Sequence, residues 1–287
     1  MSKVIAIFAC ITFIILAFAN PSAFVSNAQS GLLLFGRNVL PILFPFFFIS
    51  GLLIELDLFK KKSIRIFGLV SLSYLAGFPT SARMLSQLYL RGEITREQAM
   101  KTATYTSTTS PIFIIATIGA SLYGDIRLGI IIFVSHIAGA LINGLFYAHG
   151  VASARCHPLT EKELLRQPAS TAGVSSAVTN ALNSAVQNIL AVGGLIIIFF
   201  IASAPFPWPI AGILEMTTGV FRASAIANPL FRALIPCTIV SFGGLCVAMQ
   251  GFVFLKNFHM PVRFYFLYKL THAIFAVVIC FILITIF

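Results

Sequence analysis

Apolar residues run along the chain in long blocks, and polar residues collect in the short stretches between them. The blocks show neither the alternation of a half-buried strand nor the single stripe of a surface helix. Residues 4–19, 32–56, 103–121, 127–150, 182–204 and 264–286 each approach the roughly 20 residues that carry a helix across about 30 Å of hydrocarbon, and they predict six spanning helices. Two further blocks are interrupted: 66–90 contains Gly77 and Pro79 in "GFPT", and 232–255 contains Pro236 and the pair Gly243 and Gly244 in "SFGG". Residues 66–90 are too few for two crossings and have basic residues on both flanks, so they predict a re-entrant helical hairpin entered from the cytoplasm. Residues 232–255 predict a second hairpin, entered from outside. Irregular backbone is tolerated at membrane depth only where it is buried in protein or lines a wet cavity. The two tips therefore predict a polar cavity inside the bilayer.

Composition removes the alternatives. Hydrophobic residues make up 59% of the chain, charged ones 9%, and the mean hydropathy is +0.98, values no water-soluble domain shows. The net charge of +11 resides in short loops and forms no stripe, which excludes a nucleic-acid partner and gives an orientation. Lys60, Lys61, Lys62 and Arg65, then Arg91, Arg96 and Lys101, then Arg155, Lys162 and Arg166 mark the cytoplasm. "YGDIR" and the stretch after "APFPWP" fall outside, and both termini fall in the cytoplasm of a bacterial cell (plasma) membrane protein. Residues 1–31 read as an N-terminal anchor and external loop, with a cleaved signal peptide ending at Ala19 as the alternative. A first repeat covers 32–121, a connecting helix and cytoplasmic loop with a surface helix at "EKELL" cover 122–181, and a second repeat covers 182–287. Spanning helix, hairpin, spanning helix recurs with one extra crossing between the copies, so the repeats are inverted. The predicted fold is an all-α polytopic membrane protein, and paired broken segments in inverted halves point to a transporter's binding site.

Candidate binding residues gather at the interruptions: Gly77, Pro79, Thr80 and Arg83 at the first tip, Gly243, Gly244 and Gln250 at the second. Ser107, Thr108, Thr109 and Ser110 precede Pro111, which biases Ser110 away from helix, so the helix restarting there aims free N–H groups at the cavity. With Arg83 these donors favour an anionic or carboxylate-bearing solute. The competing readings are that the hydroxyls pack helices closely and that Arg83 snorkels to the interface. Asn180, Asn183, Gln187 and Asn188 share one helical face, predicted to look into the bundle, with Asn188 placed at the solute. Intramembrane His136, Asn143, Lys269 and His272 are further candidates, whereas Glu55 and Glu215 sit near segment ends and read as interfacial. No carboxylate is then left to relay a proton or sodium ion. Five scattered cysteines, Cys156 beside His157 in a loop, and the lack of HExxH, GxSxG or P-loop patterns argue against an enzyme, a metal site or a cofactor.

"LPILFPFFFISGLLIELDL", "GFPTSAR", "TSPIFIIATIGASL", "ILEMTTG" and "SFGGLCVAMQ" resemble, in that order, the YlbJ-type sporulation integral membrane proteins, from about residue 32 onward. That family is grouped with the nucleoside-recognition or Gate-domain membrane proteins. The resemblance implies a transporter-like protein that moves a small polar or anionic solute through a midplane cavity, with a role in sporulation. Its alternative is a non-transporting scaffold for envelope or spore-cortex assembly. The implied partners are the lipid bilayer and the solute, and a homo-oligomer is also allowed. Where the family carries two asparagines before Ala-Ser-Pro, this chain has Ser107 and Thr108 before Thr109, Ser110 and Pro111.

Overall fold

The computed structural model describes residues 7, 11, 13–15, 17–56, 62–148 and 173–287. Half of the predicted first segment, Lys60 and Lys61, and the "EKELL" loop with Cys156 lie outside the described residues. Among the described residues every regular element is a helix. The first long one, α1 (Pro21–Glu55), starts where Asn20 accepts the Ala23 N–H at 3.1 Å and Pro21 fills the first turn. The predicted external stretch 20–31 is thus helical. Its polar side chains bond the helix's own carbonyls, Asn27 Nδ2 to Ala23 O at 2.8 Å and Ser30 Oγ to Ser26 O at 2.9 Å, which removes the usual reason for polar residues to end a helix. Phe13 packs edge-on to Phe24 with ring centroids 5.3 Å apart. On one straight helix eleven residues would separate them by about 16 Å, so the chain folds back around Asn20.

Residues 62–90, predicted as the first hairpin, are two helices, α2 (Lys62–Ala76) and α3 (Thr80–Leu90), joined by a turn at 77–79. The next helix, α4 (Arg96–Thr106), starts earlier than predicted because Thr95 and Gln98 make a reciprocal capping box. It stops at 107–110, and α5 (Ile112–Leu122) resumes in π-helical winding. The expected single spanning helix 103–121 is therefore two pieces about an irregular centre. Next come α6 (Ile126–Ala148) and α7 (Val174–Ser203). The stretch predicted as an external loop then folds into two short helices, α8 (Trp208–Leu214) and α9 (Met216–Ala223), turning on Glu215. Last are α10 (Pro229–Phe242), α11 (Gly244–Leu255) and α12 (Val262–Ile286). Five described helices are long and apolar enough to span: Pro21–Glu55, Ile126–Ala148, Val174–Ser203, Pro229–Phe258 and Val262–Ile286. The chain is a multi-pass membrane protein.

Polar contacts sort the loops to two ends. At one end Arg91 pairs with Glu55 at 3.2 Å, Asn257 Nδ2 donates to Ser86 Oγ at 2.7 Å, and Arg96 donates to the carbonyls of Phe258 and His259 at 3.1 and 2.9 Å. At the other, Arg232 donates to Tyr123 O at 3.3 Å and Arg222 to Ala204 O at 2.6 Å. Arg127 there donates to the carbonyl of Phe287. Two expectations are corrected. Residues 232–255 do not enter and leave by one side, since 229 and 259 lie at opposite ends; Gly243 and Gly244, with φ of +86° and +74°, break the rod without reversing it. The C-terminus shares an end with the "YGDIR" turn, so the two cannot lie on opposite sides of a membrane.

A third correction concerns α7. Its buried face is Ala177, Ala181, Ala185, Ile189, Val192, Gly193 and Ile196, whereas Asn180, Asn183 and Gln187 are exposed and Asn188 is half-buried. Small side chains win that face because they let α1 approach closely: a Cβ added to Gly51 would lie 3.5 Å from the Ala181 backbone.

Candidate functional site

The site is built where two helix turns meet two helix breaks. Gly77 has φ +80°, and a Cβ there would come within 2.8 Å of Ser110 N, so only glycine both makes this turn and lets it seat on the broken segment. The seat is hydrogen-bonded, Phe78 N–H to Thr108 O at 2.6 Å. The second turn repeats the arrangement with different residues. A Cβ on Gly244 would sit 3.0 Å from the carbonyl oxygens of Gly212 and Ile213, so the end of α8 rests on the break between α10 and α11.

Glu215 sets the second turn. Its carboxylate accepts Thr217 N–H at 3.0 Å through Oε1, and Thr218 N–H at 2.7 Å and Thr218 Oγ1 at 2.8 Å through Oε2. This is an N-cap made with a charged group, favoured also by the helix dipole. Glu215, read from sequence as interfacial, is buried within the protein at 3% exposure. A buried carboxylate is present after all.

Between the two turns lies a cavity of about 80 Å³, room for several waters or a small polar group. Its polar lining is Asn38 of α1, Thr109 and Ser110 of the first break, Glu215 and Thr217 of the second turn, and Gln250 of α11. Phe78 of the first turn also lines it, resting on α11 so closely that a Cβ on Gly251 would fall 2.1 Å from its ring. Glu215 is the single ionisable side chain in that lining.

A second polar group stands behind the breaks. His136 Nε2 accepts Thr109 N–H at 2.8 Å, which leaves the ring proton on Nδ1 to be donated to Ser241 Oγ at 2.9 Å. His272 Nε2 donates to His136 O at 2.9 Å. Lys269 Nζ donates to Ser107 O at 3.0 Å, and Thr109 Oγ1 to Val240 O at 3.2 Å. Asn143 ties Thr104 O to Tyr268 O at 2.9 and 3.1 Å. The intramembrane residues singled out from sequence thus hold the first break against α6, α10 and α12.

Of the predicted binding residues, Thr109, Ser110 and Gln250 line the cavity. Gly77, Pro79, Thr80, Ser107, Thr108, Gly243 and Gly244 shape the turns and breaks around it without lining it. Arg83 does not reach it. Its guanidinium donates to Phe47 O, stands 5.3 Å over the Phe47 ring and lies 2.8 Å from where a Cβ on Gly51 would be. Asn188 is also away from the lining. Sequence reasoning missed Asn38, Glu215 and Thr217. Glu215 had one signal, a lone carboxylate between Gly212 and Gly219 followed by two threonines able to complete a cap. Among the described residues no three His, Cys, Asp or Glu side chains group as metal ligands.

The chain is similar to the sporulation integral membrane protein YlbJ of Bacillus subtilis (strain 168), with 24% identity over 316 aligned positions that cover 91% of this chain and 77% of that protein. No protein-family model matches, and no solved structure matches.

Proposed function

We propose that the chain is a carrier for a small polar solute in a bacterial plasma membrane, with the cavity between the two turns as its binding site and a role in sporulation, as in the protein it resembles. The observation that carries this is the cavity itself, because it is lined from both turns and from the first break at once. Irregular backbone at that depth in a membrane requires such a lining. In this reading α2–α3 is a re-entrant hairpin from the end bearing Arg91, Arg96, Lys101, Lys256 and Arg263, which is the cytoplasmic end by its positive charge. The hairpin α8–α9 enters from the opposite end. The repeat is then α1, hairpin, broken helix, α6, followed in inverted order through the membrane by α7, hairpin, broken helix, α12. "SFGG" answers to "TSTTSP", and "ILEMTTG" answers to "GFPT". C-termini and half-helix ends at a shared midplane are the usual architecture of alternating access.

The lining revises the solute class. With Glu215 inside and Arg83 outside the lining, a neutral polar or cationic solute is favoured over an anion, since a carboxylate in a low-dielectric cavity repels negative charge strongly. The test is a thermal-shift and proteoliposome uptake screen of small amines, polyols, nucleosides and carboxylates. An amine or neutral polar compound should stabilise wild type and lose its effect in Glu215→Gln. Stabilisation by carboxylates alone would reverse the solute class, and uptake of nothing by a folded protein would favour a scaffold in envelope assembly.

A further inference from the structure

Lys269 sits in the first third of α12, is 2% exposed, and makes no ion pair among the described residues. A buried ammonium without a carboxylate is costly, so its surroundings must supply the compensation. They do so from two helix ends. Ser107, whose carbonyl accepts from Nζ at 3.0 Å, is the C-cap of α4. Gly243, whose absent Cβ would lie 3.6 Å from Lys269 Cε, is the C-cap of α10. C-terminal ends carry the negative pole of the helix and free carbonyl oxygens. One of them accepts directly from the ammonium, and the other packs beside the Lys269 Cε next to it. Thr109 Oγ1 donating to Val240 O ties the same two ends together directly. In carriers with broken helices such carbonyl-bearing ends are where a coupling cation is held.

We infer that the Lys269 ammonium is a tethered cation occupying the cation site at the crossing of the two helix breaks, so that the protein needs no sodium or potassium ion there. Its position is fixed by neighbours that are not carboxylates. His136 offers its Nε2 to Thr109 and its proton to Ser241, and Tyr268 donates to Ser107 Oγ at 3.2 Å, so both neighbours are spent on hydrogen bonds. The site lies behind the breaks and is not part of the solute cavity lining. What the site is for rests on the carrier reading, but its test reads cation dependence of stability, which a non-transporting protein would show equally.

The experiment measures Tm of the purified full chain in lipid nanodiscs, in sodium, potassium and choline chlorides at matched ionic strength, for wild type, Lys269→Ala and Lys269→Met. Wild type should show equal Tm in all three salts. Lys269→Ala should lose on the order of 10 °C, and methylammonium chloride, a small ammonium that fits the space left by the side chain, should restore much of the loss where choline does not. Lys269→Met fills the space without charge, so it should stay destabilised and ignore methylammonium. If Lys269→Ala does not fold, Lys269→Met carries the test alone: a Tm equal to wild type would overturn the inference. A saturable stabilisation of wild type by sodium over choline, together with no response of either variant to methylammonium, would overturn it as well.

Discussion

Replacing Glu215 by glutamine exchanges one carboxylate oxygen for an amide nitrogen and tests the second turn. Three donors converge on its carboxylate, two of them on Oε2. Glutamine can place its carbonyl oxygen at the Oε2 position and keep both Thr218 bonds, now neutral. Its NH₂ then faces Thr217 N–H, donor against donor. A hydrogen bond to a charged group is worth about 1.5–3 kcal/mol, and the lost charge at the start of α9 adds roughly 0.3–1 kcal/mol. The residue is 3% exposed, so solvent does not recover the loss. The expected cost is about 2–4 kcal/mol, a fall in Tm on the order of 10 °C. Trp208 opens α8 in the same hairpin, so its fluorescence on heating reports the turn. Thr218→Val, which replaces only the hydroxyl bonded to that carboxylate by a methyl, should cost about 1.5–3 kcal/mol. Glu215→Gln melting with wild type would refute the capping geometry.

Gly77→Ala must adopt φ +80° and push a Cβ to 2.8 Å from Ser110 N; the left-handed conformation alone costs about 1–2 kcal/mol, and the backbone clash should raise the loss of stability in thermal unfolding beyond that. Arg83→Gln forfeits the bond to Phe47 O and the ring contact, so Tm should fall while the stabilising effect of any solute found by screening stays unchanged; loss of the solute effect at unchanged Tm would return Arg83 to the cavity. Single cysteines at Arg96 and His259 should react with an impermeant thiol reagent from one and the same side, and a cysteine at Arg127 from the opposite side. Labelling of positions 96 and 259 from different sides would contradict the contacts between them.

The first turn and the second break were legible because glycine and proline act locally: Gly77, Pro79, Gly243 and Gly244 interrupt a helix wherever they sit, whereas the first break showed only in the bias of Pro111 on Ser110. Whether an interruption reverses the chain is not local. "GFPT" reverses it and "SFGG" only offsets it, and that difference is decided by packing, Phe78 on α11 in one case and α8 on Gly244 in the other. The helices α8 and α9 were missed because 208–223 is too short to register as a span, and Glu215 conceals its charge in its own cap. The amide face of α7 misled for a different reason. Periodicity places Asn180, Asn183 and Gln187 on one side but cannot say which side is buried, and the alanines opposite them decided it through close contact with α1.

If the cavity binds a solute, water must reach the irregular segments from inside the membrane-spanning bundle. The most direct test is a cysteine at Thr109, on the cavity wall, in an otherwise cysteine-free background, compared with one at Val278, on the exposed outer face of α12. Each is treated with a small charged thiol reagent in native membranes. Thr109→Cys should be modified and be protected by the stabilising solute, while Val278→Cys, on the outer face, should stay unmodified. Equal resistance at both positions in a folded protein would contradict a solute-binding cavity.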